Sequence, residues 1–168
     1  MSIVQKTRAV SIDDLDRRLL ERLQRDTTAT AEAHGSAVGL SPSSVQRRIK
    51  RLRESGVIRR EVAVLDTDAL GKRMTFIVGV KVDFGQKAEV DALKRRLLAD
   101  PRTQQAYYVT GEVDLIVIVV VGDMQDYDDW SKTLLLSSPA MLRFQSNVVI
   151  EGLRVGLEVP LDGGGMSP

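Results

Sequence analysis

Ser43, Ser44, Arg47, Lys50 and Arg51 project from one side of a segment that reads as a single helix. Hydroxyls and a guanidinium can hydrogen-bond to base edges, while further cations neutralise phosphates, so these residue types suit a DNA groove. Gln46 lies at the edge of the same face. Ser41 is placed to cap this helix, Pro42 fits its first turn, where an N–H is dispensable, and Gly56 can end it in a left-handed conformation. Val45, Ile49 and Leu52 recur at i, i+4 and i+7 and supply the opposite, apolar face. A solvated charged face has the same composition, so the choice between the two depends on what surrounds the helix.

Two short helices precede it. Ser11, with Asp14 three residues on, reads as a capping box in which the shorter acid stands in for Glu. From there Ile12, Leu15, Leu19, Leu20 and Leu23 trace an apolar stripe as far as Arg25. After the Asp26-Thr27-Thr28 turn, Thr30 caps a second helix that runs to Val38 and closes at Gly39. Three helices with tight connections, the last of them basic, describe a helix-turn-helix unit. Val57 to Leu65 is β-branched with charges on one side and reads as the strand or hairpin of a wing.

The second half follows a different pattern. Thr75–Val82 alternates as a strand, Gly85–Ala99 is helical with Val90, Leu93 and Leu97 on one stripe, and Gln105–Thr110 is a strand. Gly111-Glu112-Val113-Asp114 forms a turn before Leu115–Val121, which is apolar on both faces and therefore central in its sheet. A helix over Met124–Leu136 and a strand over Leu142–Ile150 complete a β-α-β-β-α-β order, with Leu153–Val159 readable as one more strand. That order is the ferredoxin-like sandwich, two helices on one face of an antiparallel sheet, and it makes the protein α+β. Helices on one side leave an apolar sheet face open, so a homodimer through this domain is expected. The resulting domains are a mobile arm (1–10), a winged helix-turn-helix (11–65), a linker (66–73), the ferredoxin-like domain (74–160) and a disordered tail (161–168).

Composition narrows the function classes. The chain has 168 residues and no cysteine, which excludes disulfides and thiolate metal sites. Its longest apolar run, Leu115–Val121, is too short to cross a bilayer, and the N-terminus lacks the apolar core of a signal peptide, so a cytoplasmic, nucleoid-associated protein is expected. Net charge is +1, but the charges are segregated. Residues 41–60 carry seven Arg or Lys against Glu54 alone, and residues 110–129 carry six acids and no base. An enzyme is disfavoured: there is no Gly-rich phosphate loop or metal-ligand cluster, and the one histidine, His34, sits on a nominal core face. The acids from Asp123 to Asp129 fall at a helix start, where the dipole favours them, so no metal or cofactor is expected.

Taken in order, Leu15-Asp16-Arg17-Arg18-Leu19-Leu20, Leu23-Gln24-Arg25-Asp26, Val38-Gly39-Leu40-Ser41-Pro42-Ser43, Ile49-Lys50-Arg51-Leu52 and Gly56-Val57-Ile58 resemble the DNA-binding domain of the leucine-responsive regulator/AsnC family of transcription factors. Gly111-Glu112-Val113-Asp114-Leu115, Asp123-Met124-Gln125-Asp126-Tyr127, Thr133-Leu134-Leu135 and Val148-Val149-Ile150-Glu151 resemble its amino-acid-sensing domain, so the likeness spans residues 12–160. The resemblance implies a regulator that binds promoter DNA as dimers, often assembled into tetramers or octamers. It also implies an effector, usually an amino acid, held between dimers near the Gly111–Asp114 turn, with Ser146 where the family often has a second hydroxyl. An Asp beside free turn N–H groups suits an ammonium and a carboxylate together. An ordinary hairpin turn explains Gly111 and Asp114 equally well. The chain departs from the family pattern at His34-Gly35, where a core Leu is usual, and at Phe144, where a hydroxyl is common near the pocket. Phe144 narrows the pocket, selects an apolar ligand, or joins the core. The competing class is a nucleoid-organising protein that binds DNA with little sequence preference and senses nothing.

Overall fold

A computed structural model describes residues 11–67, 69–71 and 73–161. The chain divides into two compact units, one of residues up to Val64 together with those from Gly156 on, the other of Leu65–Val155. The expected arm, and all of the expected tail after Leu161, lie outside the described residues.

The first unit holds α1 (Asp14–Arg25), α2 (Ala31–Val38) and α3 (Pro42–Glu54). The cap of α1 is Asp13 rather than Ser11. The Asp16 N–H donates to the Asp13 carboxylate at 2.8 Å and the Asp13 N–H donates back to Asp16 at 3.1 Å, so two otherwise orphaned donors are satisfied reciprocally. Helix α2 starts at Thr30, whose hydroxyl accepts from the Ala33 N–H at 3.2 Å, and ends at Gly39 with φ 76°. Gly35 looks like a weakness in so short a helix, yet a Cβ there would stand 2.4 Å from the Leu40 carbonyl oxygen. The helix gives up propensity for a close chain reversal. Leu19, Val45 and Leu52 are fully buried.

The expected wing strand is not formed: residues 59–66 have no regular structure, and Val62 and Val64 are exposed. A strand requires a partner to take its backbone hydrogen bonds, and none of the described residues pairs with this one. The same reason applies to Leu153–Val159, which also stays out of the sheet with Leu153, Val155, Leu157 and Val159 exposed.

The second unit contains β1 (Met74–Val82), α4 (Lys87–Ala99), β2 (Thr103–Tyr108), β3 (Leu115–Val121), α5 (Met124–Ser131) and β4 (Met141–Val148). Its antiparallel sheet has the order β2-β3-β1-β4, as expected of the ferredoxin-like sandwich. Phe76, Val78, Val80 and Val82 of β1 and Leu115, Val117, Val119 and Val121 of β3 meet Val90, Leu93, Leu97, Trp130 and Leu135 in one core. A π-helical turn, Lys132–Leu136, continues α5. The widened turn leaves carbonyl groups over, and Arg96 supplies a donor to the Leu134 oxygen at 3.1 Å and to the Ser137 hydroxyl at 2.9 Å. The other face of the sheet carries Ile77, Ile116, Ile118 and Val120, all partly or largely exposed.

Candidate nucleic-acid interface and effector site

Helix α3 is held by its caps and by α1. The Ser41 hydroxyl accepts from the Ser44 N–H at 3.3 Å and donates to the Ser44 hydroxyl at 2.9 Å, with the Ser43 hydroxyl 3.2 Å away. These side chains therefore form a polar patch at the helix N-terminus. Gln46, Arg47 and Lys50 are exposed, and among the described residues Arg47 makes no ion pair. Lys50 stands 3.8 Å from Glu54, an exposed pair worth well under about 1 kcal/mol.

Arg51 differs from the expectation of a free phosphate contact. Its guanidinium closes on Asp16, which has no solvent exposure, and Arg48 donates to Asp16 at 2.8 Å and to Asp13 at 2.7 Å. Arg48 and the Asp16 N–H hold the Asp13 carboxyl below the usual carboxylate range. Arg53 forks onto both Glu61 oxygens at 2.9 and 3.0 Å. Asp16 was missed as a site residue, although the sequence contains a signal: it falls on the apolar stripe of α1, next to Leu19, Leu20 and Leu23, where an acid must find cations. His34 is buried, as expected of a core-face residue, but its ring nitrogens meet no hydrogen-bonding group among the described residues.

In the second unit the expected effector residues separate into two sets. Gly111 adopts φ 130°, and the N–H groups of Gly111, Glu112 and Val113 donate to no other described group. Val113 lies over Gly79, where an added Cβ would stand 3.0 Å from it, so the turn packs on the open face of the sheet. Asp114 is buried and already engaged: it accepts from the Lys81 ammonium at 3.0 Å and the Val82 N–H at 2.9 Å. Burial alone disfavours its charge, but these donors prevail and its carboxyl is held below the usual range. Glu112 instead is exposed, 3.3 Å from Arg143.

Phe144 and Ser146 pair with Val80 and Val78, which places them on the helix-covered face, across the sheet from the turn. Of the readings open for Phe144, packing against the core is the one observed. Ser146 hydrogen-bonds the Tyr127 hydroxyl, and the Tyr127 ring stacks on Phe76 at 3.7 Å between centroids. Burial pushes the Tyr127 hydroxyl up from its ordinary pKa, partly offset by Ser146. Tyr127→Phe is expected to cost about 1 kcal/mol in a denaturant melt, the loss of one hydrogen bond, and to leave DNA affinity unchanged. The acids at 123–129 have structural partners: Asp123 caps α5 and Asp126 holds Arg102 at 2.9 Å. No group of acids or histidines among the described residues is arranged to hold a metal ion, and no described helix is long and apolar enough to cross a membrane.

A capped basic helix in a three-helix unit, followed by a sheet with a partly exposed apolar face, defines a helix-turn-helix DNA-binding regulator with a separate second domain. Residues 12–53 match the AsnC-type helix-turn-helix domain and residues 75–155 match the Lrp/AsnC ligand binding domain. An HTH-type transcriptional regulator from Sinorhizobium fredii is 32% identical over 92% of this chain and 91% of its own length. The chain belongs to the Lrp/AsnC family of transcription regulators, which are DNA-binding proteins and not enzymes. The crystal structure of an AsnC family regulator from Agrobacterium tumefaciens superposes with a TM-score of 0.82 at 31% identity, covering 89% of this chain and 97% of that one. A transcriptional regulator from Neisseria meningitidis, solved in complex with L-Met, shares the fold with a TM-score of 0.84 at 24% identity, covering 90% of this chain and 98% of its own.

Proposed function

We propose that this regulator binds specific promoter sequences through α3, as a dimer or larger assembly whose DNA binding responds to a small effector, an amino acid. The observation that carries the DNA reading is the division of labour on α3: Arg47 and Lys50 remain available beside the Ser43–Ser44 patch and Gln46, while the other cations are engaged within the protein. Arg47 and the two serines read base edges, and Lys50 contacts phosphate. The partly or largely exposed Ile77, Ile116, Ile118 and Val120 side chains on the open sheet face favour burial against a second copy, so the protein would meet DNA as a dimer.

For the effector, the free N–H groups of Gly111–Val113 suit a carboxylate and Glu112 suits an ammonium. The L-Met complex of the Neisseria protein supports this chemistry. Asp114 shapes the turn rather than meeting the ligand. A thermal-shift and gel-filtration screen of the proteinogenic amino acids tests the reading. One of them at a hundredfold its Kd is expected to add about 2.7 kcal/mol to stability or change assembly size. That response should be lost in Glu112→Ala, a change at an exposed residue. A screen in which none has any effect leaves the effector-independent DNA-binding protein as the reading to adopt.

A further inference from the structure

We propose that Asp16 is a specificity-determining residue: by holding Arg48 and Arg51 against α1, it restricts the sequence-independent attraction of α3 for DNA. The inference rests on α3 being the DNA-reading helix and concerns how much of its charge reaches the nucleic acid.

Helix α3 carries five cations, Arg47, Arg48, Lys50, Arg51 and Arg53. If all met phosphates, they would steepen the dependence of log K on log salt by about 4.5, at about 0.9 for each phosphate neutralised. The geometry withdraws most of them. Asp16 has no solvent exposure, so its charge can be tolerated only while cations compensate it. Arg48 and Arg51 do so from one face of α3, three residues apart, and Asp13 adds a second carboxylate for Arg48. The Asp13–Asp16 capping box fixes both acids in the first turn of α1, where the helix dipole also favours them. A phosphate that drew Arg51 or Arg48 away would leave a buried carboxylate short of a partner, so these guanidiniums stay where they are, even though Arg51 is half-exposed. Arg53 is forked on Glu61. Lys50 alone remains to neutralise phosphate, which lowers the contribution of α3 to about 0.9, and Arg47 is left for the bases. Hydrogen bonds to bases then provide a larger share of total affinity, and the ratio of specific to random binding rises.

The test is a salt series of fluorescence anisotropy titrations with the full-length protein, on its own upstream DNA and on random duplex. Lys50→Gln is expected to flatten the slope by about 0.9, and Arg51→Gln to leave it unchanged. Asp16→Asn frees Arg51, while Asp13 still holds Arg48, so random-duplex affinity should rise several-fold with a slope steeper by about 0.9, and the specificity ratio should fall. A slope loss in Arg51→Gln equal to that of Lys50→Gln, or a folded Asp16→Asn with unchanged random binding, overturns the proposal. Should Asp16→Asn fail to fold, Arg51→Gln decides alone, because Asp16 keeps Arg48 in that variant. If no α3 variant alters the slope, the placement of α3 on DNA fails instead, a different pattern from failure of the clamp.

Discussion

Arg47→Ala is expected to weaken binding to a specific operator by roughly ten- to a hundredfold while leaving melting temperature and dimerisation unchanged, a loss that matches the 1–3 kcal/mol of a bidentate guanidinium–guanine contact. Its side chain is exposed and makes no ion pair among the described residues, so truncation removes nothing that holds the helix in place. Core residues of the same helix behave differently: Val45 and Leu52 are fully buried, and their truncation would weaken DNA binding by unfolding the unit. Anisotropy titrations at fixed salt, with gel filtration of the same samples, separate the two effects. A monomeric Arg47→Ala protein would show that Arg47 belongs to an interface between copies instead.

Asp114→Ala is expected to destabilise the second unit by about 2–3 kcal/mol, measured by urea denaturation. Lys81 is partly exposed and regains water, so most of the cost falls on the Val82 N–H, left buried without an acceptor. The stabilisation also depends on pH in a defined direction. The folded carboxyl is held below its ordinary value of 3.8, so its contribution is complete above about pH 4 and disappears as pH falls through the lower folded value. The wild-type protein should therefore lose stability on acidification below pH 4 by a component that the alanine variant lacks. A variant as stable as the wild type at pH 7 would contradict the assigned role and return Asp114 to the ligand.

The local code was legible wherever one residue type has one structural use. Ser41, Pro42 and Gly56 mark the ends of α3, Thr30 and Gly39 those of α2, and the doubly apolar run Leu115–Val121 is the central strand it reads as. Readings that needed a partner elsewhere in the chain were less accurate. Ser11 and Asp13 are both good caps, and only the burial of Asp16 against Arg48 and Arg51 decides between them. The β-branched run Val57–Leu65 and the alternation in Leu153–Val159 are genuine strand patterning, but such patterning specifies at most a face and not a neighbour. For the candidate site, Gly111 and Glu112 are placed as expected on an accessible turn, whereas the face on which Phe144 and Ser146 lie depends on the β1–β4 register. One position of slip reverses that face, and nothing in the local sequence fixes it.

The central claim is that α3 reads sequence, and comparing affinities for the protein's own upstream region and for random duplex, at one physiological salt concentration, tests it most directly. The expected result is a specific complex tighter by about a thousandfold or more, with Arg47→Ala narrowing the gap. Equal affinity for the two DNAs, unchanged in Arg47→Ala, would contradict it.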